Sequence, residues 1–217
     1  MEKNPLRCKW LNIIGTVLDR KQSIVHLGIH MTKSLCWEKH ISEVCRQAYP
    51  RVKMLSKLKH VDFPTEDLIM VYSLHIRSVT GYCSTALHSS LSQKLSNKLE
   101  AIQKTCLRVI LAEMYIDYIS ALEMCAPKSL FDRRKIRSLS FAIKCTLHKS
   151  NMSMFPLNPS QDTHTVSRRE KFKVNVSHTA KYMKSTLPYL QRRLNSYTEK
   201  RKEVRARSTR AGRGQGL

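Results

Sequence analysis

Acidic residues are scarce: 16 Asp and Glu stand against 39 Lys and Arg in 217 residues, giving a formal charge of +23. A chain so short of its own counter-charge points to a polyanionic partner. Glycine (6) and proline (7) are too few for a collagen-like or Gly-rich repeat. No run approaches the ~18 apolar residues that a membrane span needs, so a soluble protein with no membrane partner is expected. The one stretch with the look of a signal h-region, Trp10 to Leu18, runs straight into Asp19, Arg20 and Lys21 with no small-residue cleavage site, and reads as a short strand. There is no C-x-x-C pair. Seven scattered cysteines, an odd number, fit reduced intracellular thiols, so the nucleus or cytoplasm is the expected location.

Catalytic signatures are missing too. No G-x-S-x-G, Walker A or G-x-G-x-x-G run occurs, and no D-D or D-x-D pair is available to hold the two divalent ions of phosphoryl transfer. Cys36, His40 and Glu43, or Cys83 and His88, are accidental neighbours of the sort that 7 Cys and 9 His produce. The most tempting metal set is His26, His30, Cys36 and His40. At ~3.3 Å per strand residue, however, His26 and His30 lie about 13 Å apart on one face, too far to share a zinc at ~2 Å. The expectation is a protein that is not an enzyme and needs no cofactor.

What is present supports one core of ordinary size, with 41% hydrophobic residues. Two β-type runs, Leu11 to Leu18 and Ser23 to His30, flank Asp19-Arg20-Lys21-Gln22 and predict a hairpin across that connection. From Trp37 the period becomes helical. Over 37–59, Ile41, Val44, Ala48, Val52 and Leu55 form one stripe, and Lys39, Arg46, Lys53 and Lys57 gather opposite it. A second helix is expected from Pro64, with Glu66 and Asp67 in its first turn, to about Ser78, turning Leu68, Ile69, Tyr72 and Ile76 inward.

Residues 79–91 read as a connection, and Ser90 with Gln93 has capping-box spacing. The helix it opens should run to Leu111, with Leu95, Leu99, Ile102, Cys106 and Val109 inside and Lys94, Lys98, Lys104 and Arg108 outside. A short helix is expected over Tyr118 to Cys125. Ser129 with Asp132 then opens a last one, with Phe131, Ile136, Leu139, Ala142 and Ile143 inward and Arg133, Arg137 and Lys144 outward. Cys45, Cys106 and Cys145 fall on apolar faces, as small hydrophobes.

After Ser150 the composition shifts. Residues 164–217 carry 15 Lys and Arg against 3 Glu, or +12 of the +23, and are expected to be mostly disordered. The remaining +11 makes the body basic as well. One basic row is ordinarily a solvated face; three rows plus a cationic tail favour phosphates and counterion release. In the tail, Tyr182, Tyr189 and Tyr197 interleave with Lys181, Lys184, Arg192 and Arg193, a mixture suited either to stacking on bases or to packing on the body. Lys200-Arg201-Lys202 has the composition of a nuclear-import patch.

The order of motifs carries a resemblance. Ile13-Ile14-Gly15-Thr16-Val17-Leu18-Asp19-Arg20, then His26-Leu27-Gly28-Ile29, then Lys33-Ser34-Leu35-Cys36-Trp37-Glu38-Lys39-His40-Ile41 resembles the stretch after the catalytic palm in reverse transcriptases of non-LTR (LINE-type, jockey-like) retrotransposons. Asp67-Leu68-Ile69 with Val71-Tyr72, Ile76-Arg77-Ser78-Val79, His88-Ser89-Ser90-Leu91 and Leu99-Glu100-Ala101-Ile102-Gln103-Lys104 resemble that family's thumb region. Tyr118, Ala121-Leu122, Asp132-Arg133-Arg134, Phe141-Ala142 with Lys144, Phe155-Pro156-Leu157-Asn158-Pro159 and Pro188-Tyr189-Leu190 resemble its closing segments. The match covers roughly residues 5 to 195, in short pieces whose order and spacing are specific.

The resemblance implies that Leu27 and Gly28 belong to the primer-grip neighbourhood and that the following helices form a thumb holding a template-primer duplex. Gly81 stands where the family usually has Glu, Leu87 where it has Trp, and Ser78 where it has Pro, departures that fit a decaying copy. The Tyr-x-Asp-Asp turn of the palm has no counterpart here, nor does an endonuclease. The expected architecture is mainly α: a β-hairpin remnant over 1–32, a thumb-like helical bundle over 33–149, and a basic, largely disordered tail over 150–217. The expected function is that of a non-catalytic reverse-transcriptase fragment that binds RNA or DNA, with a separately encoded palm as a further partner. The alternatives are an unrelated basic RNA-binding or ribosome-associated protein, or a decayed fragment with no selected function.

Overall fold

In the computed structural model the described residues are 12–13, 16–17, 21–125, 128–158, 171–176 and 178–213, with side chains described over 21–201. They form a mainly helical protein that begins with antiparallel β-structure. The strands do not pair as the sequence suggested. Instead of one hairpin across Asp19–Gln22, β1 (Asn12–Ile13) pairs with β2 (Thr16–Val17), and β3 (Ser23–His26) pairs with β4 (Ile29–Thr32), in register from Ser23 opposite Thr32 to His26 opposite Ile29. The second turn explains the difference. Leu27 and Gly28 both have positive φ (48° and 74°), which makes a two-residue turn whose twist suits the flanking strands. Glycine adopts this readily; Leu27 is held there by Tyr82, whose hydroxyl donates to the Leu27 carbonyl at 2.6 Å.

The long helix α1 (Glu38–His60) buries Ile41, Val44, Ala48, Val52 and Leu55, the stripe read from the sequence, together with His40 and Cys45. It continues through Pro50, which lies on its exposed side. Its start is tied down by Trp37, whose indole N–H donates to Ser90 Oγ at 2.7 Å. Ser90 is therefore engaged with Trp37, and the cap of α5 (Gln93–Leu111) falls to Ser92, which accepts from the Leu95 amide at 3.3 Å.

Between these helices, α2 (Thr65–Val71) passes into a π-helical turn, Tyr72–Ile76, then α3 (Arg77–Thr80) and α4 (Ser84–Leu87), so the expected connection over 79–91 holds the end of α3 and one short helix between turns. Helices α1, α2 and α5 enclose the main core. Leu68, Tyr72, Ile76, Leu95, Leu99, Ile102, Cys106, Leu107 and Ile110 are buried in it, and α6 (Tyr118–Cys125) adds Ala121 and Cys125. Val109, expected inside, is half-buried.

Helix α7 (Leu130–Leu147) is rotated from the expected face. Ser129 caps it, accepting from the Asp132 amide at 3.0 Å, but the buried line is Leu130, Arg134, Ser138, Ala142 and Cys145. Phe131 and Ile136 are each 43% exposed. Ala142, expected inside, is buried and Leu139 and Ile143 are half-buried, but the first half of the expected stripe misses because the inner positions there hold an arginine and a serine. Both are bonded there: Arg134 Nη2 donates to Ser96 Oγ at 2.7 Å, and Ser138 Oγ to the Arg134 carbonyl at 2.9 Å.

Part of the expected tail is folded. Phe155, Phe172, Leu190 and Leu194 form a second core with Ala142 and Cys145 of α7. After the single turn α8 (Ala180–Met183), helix α9 (Thr186–Arg213) lays Gln191 and Asn195, one turn apart and both buried, against a short paired segment. Asn195 accepts from the Phe172 amide and donates to the Phe172 carbonyl, both at 2.9 Å. Gln191 accepts from the Asn175 amide at 3.2 Å and donates to the Met154 carbonyl at 3.0 Å. A segment with few large apolar residues is thus folded by side-chain amides that satisfy its backbone. The expected tail stretch 159–170 lies outside the described residues, as do the side chains of Lys202 and beyond.

Candidate nucleic-acid interface

On α1, steps of seven, seven and four keep Lys39, Arg46, Lys53 and Lys57 on one side, and all four are exposed. They are not equally available. Lys39 Nζ donates to Ser23 Oγ of β3 at 3.0 Å, tying the hairpin to the helix. Arg46 grips Glu43 with two N–H groups at 2.8 and 2.6 Å, and this contact holds the Glu43 carboxyl well below its usual range. It is the one ion pair among the described residues. Lys53 and Lys57 stand outside any such pair.

On α5, Lys94 and Lys98 are exposed, and Lys98 lies close enough to Cys45 to oppose the rise that burial imposes on that thiol. Lys104 and Arg108 reach back over aromatic rings, Lys104 Nζ at 4.9 Å from the Tyr118 centroid and Arg108 Cζ at 5.4 Å from Tyr115. On α7, Lys144 and Arg137 are exposed and Arg133 is half-buried. In α9, Arg192 donates to the Met183 carbonyl, while Arg193 lines, with Tyr197, an open cavity of about 750 Å³ between α6, α7 and α9. These two arginines thus serve the α9 junction, and Tyr182 and Tyr189 pack there also, the Tyr182 hydroxyl accepting from Asn175 Nδ2 at 3.2 Å.

The hairpin tip of Leu27 and Gly28 projects beside the same bundle, with Leu27 75% exposed and Gly28 above Tyr82. Below it, His40 is 2% exposed; burial, with His30 close by, lowers its pKa. The His30 amide donates to His40 Nδ1 at 3.5 Å, and the two rings stand 6.4 Å apart. Among the described residues no three His, Cys, Asp or Glu side chains come together as metal ligands, and no helix is long and apolar enough to cross a membrane.

Two arginines escaped the sequence reading of charge. Arg134 is buried at the centre of α7, where desolvation lowers its pKa and the Glu100 carboxylate opposes that fall. Arg77 is half-buried at the start of α3, with its Cζ 5.8 Å from the Tyr72 ring centroid. No row marks Arg77, because its helix carries no other cation at the same face. Its signal was the absence of an acid one turn away on either side. No protein-family model, curated protein or solved structure matches the chain.

Proposed function

We propose that this chain is a non-catalytic, thumb-like part of a non-LTR retrotransposon reverse transcriptase, and that it binds RNA or DNA through the cations on the outside of its bundle. The observation that carries the reading is the imbalance at the surface: α1, α5 and α7 all carry exposed cations, and among the described residues a carboxylate pairs with Arg46 alone. Like charges spread over a small body repel one another, and a phosphodiester strand relieves that repulsion while releasing its own counterions. The Leu27–Gly28 turn, docked on Tyr82 beside the row of α1, supports the primer-grip part of the resemblance.

In this reading the rows position a strand and no residue makes or breaks a bond, since polymerisation needs carboxylate-held metal ions. A palm domain would supply them. Changing Lys39, Arg46, Lys53 and Lys57 together to Gln tests the assignment. Binding of a labelled RNA–DNA hybrid should weaken at least tenfold with helicity intact. Unchanged affinity would make the row a solvated face only, and nucleotide incorporation by the parent chain in a primer-extension assay would overturn the non-catalytic role.

A further inference from the structure

The π-helical turn Tyr72–Ile76 puts one extra residue into its helix and so re-aims the residue that follows. That residue is Arg77. Helix α7 faces this point with Arg133 and Arg137, one turn apart. Between the two elements lies Gly81, buried, whose carbonyl receives Arg137 Nη1 at 3.4 Å. A Cβ on Gly81 would sit 3.0 Å from Arg137 Nη1 and 3.0 Å from the Arg77 carbonyl, so the approach is close and glycine leaves the guanidinium its room.

The charges of these three arginines act on one another, and no carboxylate among the described residues forms an ion pair with any of them. Glu100, whose charge acts on the Tyr72 hydroxyl, is engaged elsewhere. It accepts from the Tyr118 hydroxyl and from the Leu130 and Phe131 amides at the start of α7. Arg133 Nε and the hydroxyl of Tyr72, a residue 1% exposed, are buried without a hydrogen-bond partner. The cluster repels itself: burial and then the charges of Arg133 and Arg137 lower the pKa of Arg77, and burial and then Arg133 lower that of Arg137. Folding therefore collects like charges and unused donors at one place, which an anion would relieve.

We propose that Arg77, Arg133 and Arg137, brought together where the start of α3 meets α7, bind one phosphate group, and that in the complex described above this is a backbone phosphate of the bound strand. The chemistry selects the ligand. Each guanidinium is a planar fork of donors, and a carboxylate, planar itself, matches one fork. Forks converging from two helices suit a tetrahedral oxyanion that presents oxygens in several directions. Arg137 is exposed, so the site opens at the surface and admits a phosphate embedded in a chain. The assignment to a backbone phosphate rests on the nucleic-acid reading; the phosphate site itself does not.

Two measurements on the full chain separate these parts. In the first, thermal unfolding is followed in inorganic phosphate and in chloride at equal ionic strength, for the parent, for Arg77→Gln with Arg137→Gln, and for Arg137→Gln alone. The last swap, at an exposed position, keeps the comparison readable if the double variant fails to fold. Phosphate should raise the midpoint of the parent above that in chloride and lose this effect in the variants. In the second, affinity for a labelled RNA–DNA hybrid should fall about tenfold in the double variant, and the slope of log affinity against log salt should shrink by about 1.

If phosphate gives the parent no advantage and the variants bind the hybrid as the parent does, the site is refuted while the nucleic-acid reading stands. If phosphate stabilises through these arginines but the hybrid is ignored, or is held equally by the variants, the backbone assignment is overturned and the site takes free phosphate.

Discussion

The main core and the α7–α9 junction are built in opposite ways. Around α1, α2 and α5 the interior is mostly aliphatic, and Leu55, Leu68, Ile76 and Ile110 have no exposure at all. The buried line of α7 includes Arg134 and Ser138, and at the junction the buried Gln191 and Asn195 of α9 clasp the backbone at Met154, Phe172 and Asn175. The first region is stabilised by area removed from water, which tolerates small shifts. The second depends on directed hydrogen bonds, each of which fails if its geometry fails. A chain can therefore fold a segment with few large apolar residues, provided that something satisfies its backbone.

The comparison can be broken from either side. The largest effect is expected from Leu55→Ala, which should cost about 2–5 kcal/mol and unfold both regions together in denaturant titration. Acid should act next, and on the junction. The His88 ring lies 5.2 Å from that of Phe131 and 5.6 Å from that of Tyr189; burial, followed by the charges of Arg134, Arg193 and Lys135, lowers its pKa from 6.5 to about 4. A group with a depressed folded-state pKa that is neutral when buried takes up its proton more readily when unfolded. Its contribution is thus fully present above pH 6.5 and is lost as the pH falls toward about 4. His40 shifts the same way by burial. Stability measured against pH should decline across that window, and His88→Gln should flatten the decline.

Asn195→Ala strands the Phe172 amide and carbonyl and should cost about 1–3 kcal/mol. Hydrogen exchange should then speed up at Phe172 and Asn175 while the amides of α1 and α5 stay protected; equal loss of protection everywhere would show that the two regions are one unit. The smallest effect is expected from Ser129→Ala, about 1 kcal/mol from the lost cap of α7.

The same contrast explains what could be read from the chain. The stripes of α1 and α2 and most of that of α5 stand in the sequence as apolar residues at three- and four-residue steps, and those faces are the ones buried. The limits of α6, Tyr118 to Cys125, are likewise visible. Where burial is polar, the pattern misleads. Helix α7 shows a clear apolar stripe through Phe131 and Ile136, yet it turns Arg134 and Ser138 inward, because partners for them arise only in the folded molecule, on Ser96 and on its own backbone. Gln191 and Asn195 carry no hydrophobic signal, so α9 read as tail. The turn at Leu27–Gly28 was hidden by the length of the Ser23–His30 run, which contains it.

The basic rows were legible as rows, since lysines at helical spacing reach solvent wherever the opposite face is buried. Their separate fates were not: Arg46 turning to Glu43, Lys104 and Arg108 to tyrosines, and Arg192 and Arg193 to the junction are decided by neighbours distant in sequence or by a single acid. Arg77 gained its place from a π-helical turn that no periodicity announces.

The central claim is that the cations left outside the bundle seat a phosphodiester strand, and salt tests it most directly. The affinity of the full chain for an RNA–DNA hybrid is to be measured between ~50 and ~200 mM salt. Contact with roughly six to ten phosphates predicts a linear log–log plot and a loss of about 10³–10⁵ in affinity over that range. A flat plot, or no binding at the lower salt, would contradict the account.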